Sequence, residues 1–482
     1  MSKLKRTRLW SQIFFFFLFC TGILLAGHEK YPLPFDLFFF LDPLAAIITI
    51  AASGIIISGL LISIITILLT IVFGRFFCSW ICPLGSLIDF AEFIPKSSPD
   101  SRTDTPSIQK LSRIKFGILI FVLAGSVFSF QFIYLLDPIV IMTRFMGMII
   151  SPLKSSFLQK DFFIEHSIHF ILFTAAVLGL SLFARRFWCR VICPLGALFG
   201  LLSRFSIFKL ENEKCVSCPS CVSLCRTGAM SDQGGIKVRE EECIRCFDCI
   251  DGCSTDIWRF KAVKNNVQDT PQIHMSRRKF LAWSGSAVIG STMLTPFAPR
   301  LNASKDIIRP PFAPDEEKFL DLCIRCQACV NTCPTNALQP LFMELGLYGL
   351  WSPRIKPLIG PCKTGCAKCS EVCPTGAIGV FSARTKYTIK MGTASLLKGL
   401  CIPYNEGKKC GKCIPECPTG AIEYINENGM DKPLKIDYLL CTGCGICENL
   451  CNQMTLGPPA LITTDKGRNQ PSGVDISKLR LT

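Results

Sequence analysis

Of the 29 cysteines in this 482-residue chain, all but five fall into six groups of four. The first two groups are Cys215, Cys218, Cys221 and Cys225, then Cys243, Cys246, Cys249 and Cys253. Four more follow: Cys323, Cys326, Cys329 and Cys333; Cys362, Cys366, Cys369 and Cys373; Cys401, Cys410, Cys413 and Cys417; and Cys441, Cys444, Cys447 and Cys451. The prevailing spacing C-x2-C-x2-C-x3-C suits a [4Fe-4S] cube. Three closely spaced thiolates wrap three irons, and the fourth reaches the partner cluster of a two-cluster fold. Zinc sites separate two C-x2-C halves by a longer loop, and disulfide scaffolds are short secreted chains. Six [4Fe-4S] clusters are therefore expected. By the exchange rule Cys253 completes the first cluster and Cys225 the second. In the second array the groups at Cys362 and Cys401 open with wider spacings. Spacing does not decide the pairing there; first with fourth and second with third is the expectation.

Four of the remaining cysteines form two C-x3-C-P pairs, Cys78 with Cys82 and Cys189 with Cys193. If these segments are helical, i,i+4 spacing puts both sulfurs of a pair on one face. Two such faces could meet as a four-thiolate metal site or a dithiol relay, against the plainer reading of buried packing cysteines. Cys20 stands alone and reads as packing.

The elements that position these groups include lipid-facing helices. Hydrophobic residues make up 49% of the chain and charged ones 18%, below the roughly 25% charge of a soluble domain. Uncharged apolar stretches at Trp10–Gly27, Leu44–Gly74, Phe116–Leu136 and His166–Ala184 each reach the ~18 residues that cross a bilayer core. The formal charge of +16 is no sign of nucleic-acid binding. Six loaded clusters would add about −12 and leave about +4.

The spans belong to an internal duplication. Leu41-Asp42-Pro43 leads to Cys78-Ser79-Trp80-Ile81-Cys82-Pro83-Leu84-Gly85, and Leu136-Asp137-Pro138 leads to Cys189-Arg190-Val191-Ile192-Cys193-Pro194-Leu195-Gly196. Basic residues cluster before the first span (Lys3, Lys5, Arg6, Arg8), after the second (Arg75 onward) and after the fourth (Arg185, Arg186, Arg190). By the positive-inside rule both ends of the four-helix unit, and both cysteine pairs, face the cytoplasm. Transmembrane haem is disfavoured, because the four histidines (His28, His166, His169, His274) do not pair on different helices at suitable depth. With Asp42, Asp137 and Glu165, His166 and His169 could border a quinol pocket near the outer face. Interface anchoring is the simpler reading of each.

Between the two cysteine arrays, Ser276-Arg277-Arg278-Lys279-Phe280-Leu281 precedes an uncharged run. Arg277 and Arg278 read as a twin-arginine export signal, which carries folded domains across the membrane and suits a cluster domain assembled inside. No clear cleavage site follows, so the segment is expected to stay as a fifth anchor. The expected organisation is a four-helix membrane domain (1–205), a two-cluster ferredoxin domain (206–265), the signal-anchor (270–300), a four-cluster domain (315–460) and a polar tail (461–482). The fold class is membrane α-helical joined to α+β bacterial-ferredoxin-like domains.

On these motifs, residues 1–265 resemble the NapH family of membrane ferredoxin-type proteins. Residues 276–460 resemble the NapG/MauM family through the twin-arginine leader, Arg309-Pro310-Pro311, Cys323-Ile324-Arg325-Cys326 and Cys441-Thr442-Gly443-Cys444-Gly445. The resemblance implies a quinol dehydrogenase module of the bacterial inner membrane. It would draw on the quinone pool and pass electrons to a periplasmic reductase of the nitrate-reductase type or a cytochrome c-type acceptor. The two-cluster domain would be cytoplasmic and the four-cluster domain periplasmic. Two other roles fit the same motifs: redox maintenance of a periplasmic metalloenzyme, and a cytoplasm-facing ferredoxin:quinone oxidoreductase.

Overall fold

Each Leu-Asp-Pro repeat starts a helix for the same reason. Asp42 Oδ1 accepts from the backbone N–H groups of Leu44 and Ala45 at 2.9 and 3.2 Å. Asp137 Oδ1 accepts from those of Ile139 and Val140 at 2.9 and 3.0 Å. Proline occupies the first helical position, where no N–H is needed. In the computed structural model the described residues are 3–27, 36–91, 108, 111–127, 131–157, 164–165, 167–181, 183–212, 218, 220–232, 236–253, 257–262, 285–286, 290, 307–427, 430–455, 457–476 and 479. They form two units, one of residues 1–24, 33–146 and 168–297, the other of 25–32, 147–167 and 298–482.

The first unit carries helices α1 (Lys3–Leu25), α2 (Pro43–Ser53), α3 (Ser63–Phe73), α4 (Pro83–Ala91), α5 (Ile114–Val127), α6 (Pro138–Phe157), α7 (Ser167–Leu180) and α8 (Pro194–Ser203), with α1 and α6 running on into the second unit and α7 starting there. Among the described residues only α1 is long and apolar enough to cross a membrane; the other apolar helices are shorter. The expected continuous span Leu44–Gly74 is broken, because Gly54 takes a left-handed conformation (φ 67°) that ends α2. A short 3-10 turn at Ser58–Ile62 then leads into α3. Within the expected span Phe116–Leu136 the described helix is Ile114–Val127. Large apolar side chains remain exposed along these helices, among them Trp10, Phe14, Phe17, Leu68 and Leu172. The twin-arginine pair Arg277 and Arg278 and most of the expected fifth anchor lie outside the described residues, as do His28, His166 and His274.

In the same unit, strands β1 (Phe208–Asn212) and β4 (Trp258–Ala262) pair antiparallel, and β2 (Met230–Asp232) pairs with β3 (Ile236–Val238). The cysteine loops sit between these ribbons over a core of Leu210, Met230, Phe247 and Trp258. This ferredoxin-like domain is held to the helices by buried charge. Lys115 Nζ lies 2.6 Å from Glu242, and Arg8 donates to the carbonyl of Cys246 at 3.1 Å. Asp89 receives Arg186 at 2.7 Å and Arg226 at 3.0 Å.

The second unit holds three further antiparallel pairs. These are β5 (Leu338–Pro340) with β6 (Pro353–Ile355), β7 (Thr393–Leu396) with β10 (Leu461–Thr464), and β8 (Ile422–Glu427) with β9 (Met430–Ile436). Segment 147–167 packs within this unit. Glu165 ion-pairs with Lys356 and, at 3.6 Å, with Arg354, while its backbone N–H donates to Gln339 Oε1 at 2.8 Å.

Candidate metal centres

The C-x2-C-x2-C loops turn on left-handed residues at both sides of the middle cysteine. Arg245 and Phe247 flank Cys246 with φ of 55° and 62°; Arg325 and Gln327 flank Cys326 with 52° and 67°. The last group uses glycine at the same places, Gly443 (72°) and Gly445 (76°) around Cys444. Four non-glycine residues in this region represent a strained backbone. The strain curls three sulfurs inward, and a short helix then carries the fourth cysteine away.

That fourth cysteine joins the neighbouring group. Cys225 is electrostatically close to Cys243, Cys246 and Cys249, as the exchange rule requires. Cys215 lies outside the described residues. In the second unit Cys333 lines one cavity with Cys362, Cys366 and Cys369, and Cys373 lies near Cys323 and Cys329. Cys451 lines another cavity with Cys401, Cys410 and Cys413, and Cys417 a third with Cys441, Cys444 and Cys447. The pairing is therefore first with second and third with fourth, which corrects the expectation of first with fourth. Each pair is two sequence-adjacent motifs closing on each other, as in the domain around Cys215 and Cys243. The two pairs meet where the Cys362 N–H donates to the Cys444 carbonyl at 2.9 Å.

The donor sets fit iron–sulfur clusters. Four cysteines line each of the three cavities, the donor type and number that a four-iron cube takes. The exchanged cysteines accept backbone N–H bonds that favour the anionic sulfur: Ala229 to Cys225 at 3.2 Å, Ala421 to Cys417 at 3.3 Å, Ala460 to Cys451 at 3.2 Å. These cysteines would hold the cubes, which supply one-electron chemistry when bound. Lys386, which no motif singles out, is wholly buried and donates to the Lys363 carbonyl at 2.5 Å. Burial opposes its charge, yet the Cys362 sulfur beside it raises its pKa overall.

The two C-x3-C-P pairs come together in the first unit. Cys78, Cys82, Cys189 and Cys193 are all buried, and charging any one would raise the cost of charging its neighbours across the repeat. Cys20 is half-buried, with its thiol 3.9 Å from the Met146 sulfur, in line with packing. Asp42 and Asp137 are buried beside each other. Burial first, then the Asp137 carboxylate, push Asp42 well above the carboxylic range. His169 sits half-buried on α7.

Sequence comparison agrees with these sites. Profiles of 4Fe-4S binding domains match residues 55–99 with 167–212, 212–228, 317–339 and 362–377. A 4Fe-4S dicluster domain matches 407–454, across the third and fourth groups. The methylamine utilization ferredoxin-type protein MauM of Methylorubrum extorquens is 31% identical over 192 residues, 36% of this chain and 84% of that protein. The chain belongs to the MauM family of ferredoxin-type proteins. The ferredoxin-type protein NapF of Escherichia coli is 32% identical over 30% of this chain and 79% of its own length. The ferredoxin-type protein NapH of the same organism is 26% identical over 42% of this chain. This MauM-family chain thus carries NapH-like and MauM-like sequence in one polypeptide. It spans 66% of NapH and as little as 22% of another curated relative. No solved structure matches it. The chain thus carries 4Fe-4S binding domains of the ferredoxin type.

Proposed function

We propose that this chain is a multi-pass protein of the bacterial inner membrane that oxidises quinol and relays electrons through six [4Fe-4S] clusters to a periplasmic acceptor. One observation carries the relay. The two cluster pairs of the second unit abut at Cys362 and Cys444, so four cube sites follow one another without an intervening domain. The last of them, at Cys401, Cys410 and Cys413, is surrounded by exposed Lys398, Lys408, Lys409 and Lys412, against Glu406 and Glu416. That balance suits an acceptor with an acidic face.

Three features support the membrane part. The exposed apolar side chains of α1, α3 and α7 are at home in lipid, and broken helices are tolerated where protein buries their ends. Glu165 lies in the loop that the positive-inside reading puts outside, and it pairs with Lys356 and Arg354 of the four-cluster region. That pairing supports a periplasmic position for the region. The repeat-related Asp42 and Asp137 offer a buried carboxyl pair that can pass a proton on, and each quinol oxidised releases two protons along with two electrons.

The reading is tested by mixing the anaerobically oxidised, fully loaded chain with a short-chain quinol. About two cluster electrons per quinol should appear by electron paramagnetic resonance. Clusters that stay oxidised with quinol, yet accept electrons from a reduced ferredoxin, would instead make the chain a ferredoxin-linked quinone reductase.

A further inference from the structure

The C-x3-C-P segments fold alike, and neither is a plain α-helix. Cys82 N–H donates to the Phe77 carbonyl and Cys193 N–H to the Trp188 carbonyl, both at 2.9 Å and both five residues back. Such π turns concentrate at functional sites. Proline then starts α4 and α8, whose N-terminal N–H groups point at the second cysteine of each pair. Gly196 N–H donates to Cys193 Sγ at 3.2 Å, and Gly85 N–H to Cys82. Helix N-termini of nine and ten residues favour anionic sulfur.

Two arginines cross between the repeats. Arg75, just before the first pair, donates to the carbonyl of Cys189 at 2.9 Å; Arg186, just before the second, donates to the carbonyl of Cys78 at 2.9 Å. Both are almost wholly buried, at 1% and 0% exposure. A β-carbon on Gly196 would stand 2.4 Å from Arg75 Nη2, and one on Gly85 would stand 2.4 Å from the Cys78 carbonyl oxygen. The cradle therefore leaves no room for larger residues. Packing alone does not call for four thiols beside two buried cations and two helix N-termini.

We infer that Cys78, Cys82, Cys189 and Cys193 together hold one iron–sulfur cluster at the repeat axis, a seventh in the chain. Two buried guanidinium groups and two helix N-termini offset the charge of four thiolates, and a 4Fe-4S binding profile matches both segments, which favours a centre bridged by inorganic sulfide over zinc. The two profile matches at 55–99 and 167–212 then describe halves of one site. Trp80, between Cys78 and Cys82, donates its indole N–H to the Arg245 carbonyl at 3.0 Å, inside the Cys243–Cys246 loop. The seventh cluster thus stands next to a ferredoxin-type one, and it takes and gives one electron at a time with no bond to protein formed or broken. This relay role rests on the proposed function, whereas the presence of the cluster does not.

Iron, acid-labile sulfide and zinc are counted in the anaerobically purified full chain and in a Cys82→Ser/Cys193→Ser variant. Six cubes account for about 24 irons. The wild type is expected to hold about two to four more, and the variant to return to about 24 with all ferredoxin-type resonance signals kept. Equal counts near 24 in both proteins, or one zinc lost on substitution, overturn the inference. If the variant fails to accumulate, the Mössbauer spectrum of the wild type decides. An iron component beyond the six cubes supports the seventh cluster, and its absence refutes it. Quinol reduction of the remaining clusters in the variant would keep the quinol reading separate from either outcome.

Discussion

Replacing Cys417 by serine is expected to remove the cluster of Cys441, Cys444 and Cys447 and to leave that of Cys401, Cys410 and Cys413 in place. The cavity lined by Cys417 is shared with the former three, while the latter three share theirs with Cys451. Iron should fall by about four per chain. The resonance signal lost should be the one lost in Cys444→Ser, and different from the one lost in Cys413→Ser. Loss of the Cys413 signal would mean that each motif closes on itself. Loss of a signal assigned to Cys362 would restore pairing of the second and third groups.

The second large effect concerns Asp89. Its carboxylate is 2% exposed and receives Arg186 at 2.8 and 2.7 Å, Arg226 at 3.0 Å and the Gln12 side chain at 2.7 Å. Burial works against ionisation, but Arg186 and Arg226 outweigh it and hold the acid well below the ordinary carboxylate range. Asp89→Asn keeps the shape and strips the buried Arg186 of its carboxylate, while Arg226 keeps Asp248 at 2.5 Å; breaking such a buried pair costs about 3–5 kcal/mol. In detergent the thermal midpoint of the helix-bearing unit should fall by about 10 °C. Because the folded pKa is depressed, the stability from Asp89 is complete above its unfolded value of about 4 and is lost as pH falls below it. The wild type should therefore lose its advantage over the variant in that acid range. A midpoint unchanged by the substitution at neutral pH would show that the network carries no net energy.

The cluster cysteines were legible because a cube needs three sulfurs at short spacing, whatever surrounds them. The exchange of Cys225 was legible for the same reason, with one neighbouring motif to choose. With four motifs of similar spacing the partners of Cys333 and Cys451 depend on which loops close together in space, and spacing carries no trace of that. Apolar composition announced the helical region but missed the break at Gly54, since hydropathy counts side chains and the break is a backbone conformation. Arg75 and Arg186 read as loop charges; their burial against Cys189 and Cys78 is a contact between distant repeats. Their matching positions, each three residues before the first cysteine of its motif, were the one signal that could have found them.

Electrons are expected to leave the membrane on its outer side. Paired fusions after Thr482, one of phosphatase and one of a fluorescent protein that stays bright after folded export, test it most directly when combined with fractionation. Phosphatase activity and fluorescence are expected on the periplasmic side. Fluorescence confined to the cytoplasmic side, with inactive phosphatase, would contradict it and turn all six ferredoxin-type clusters inward.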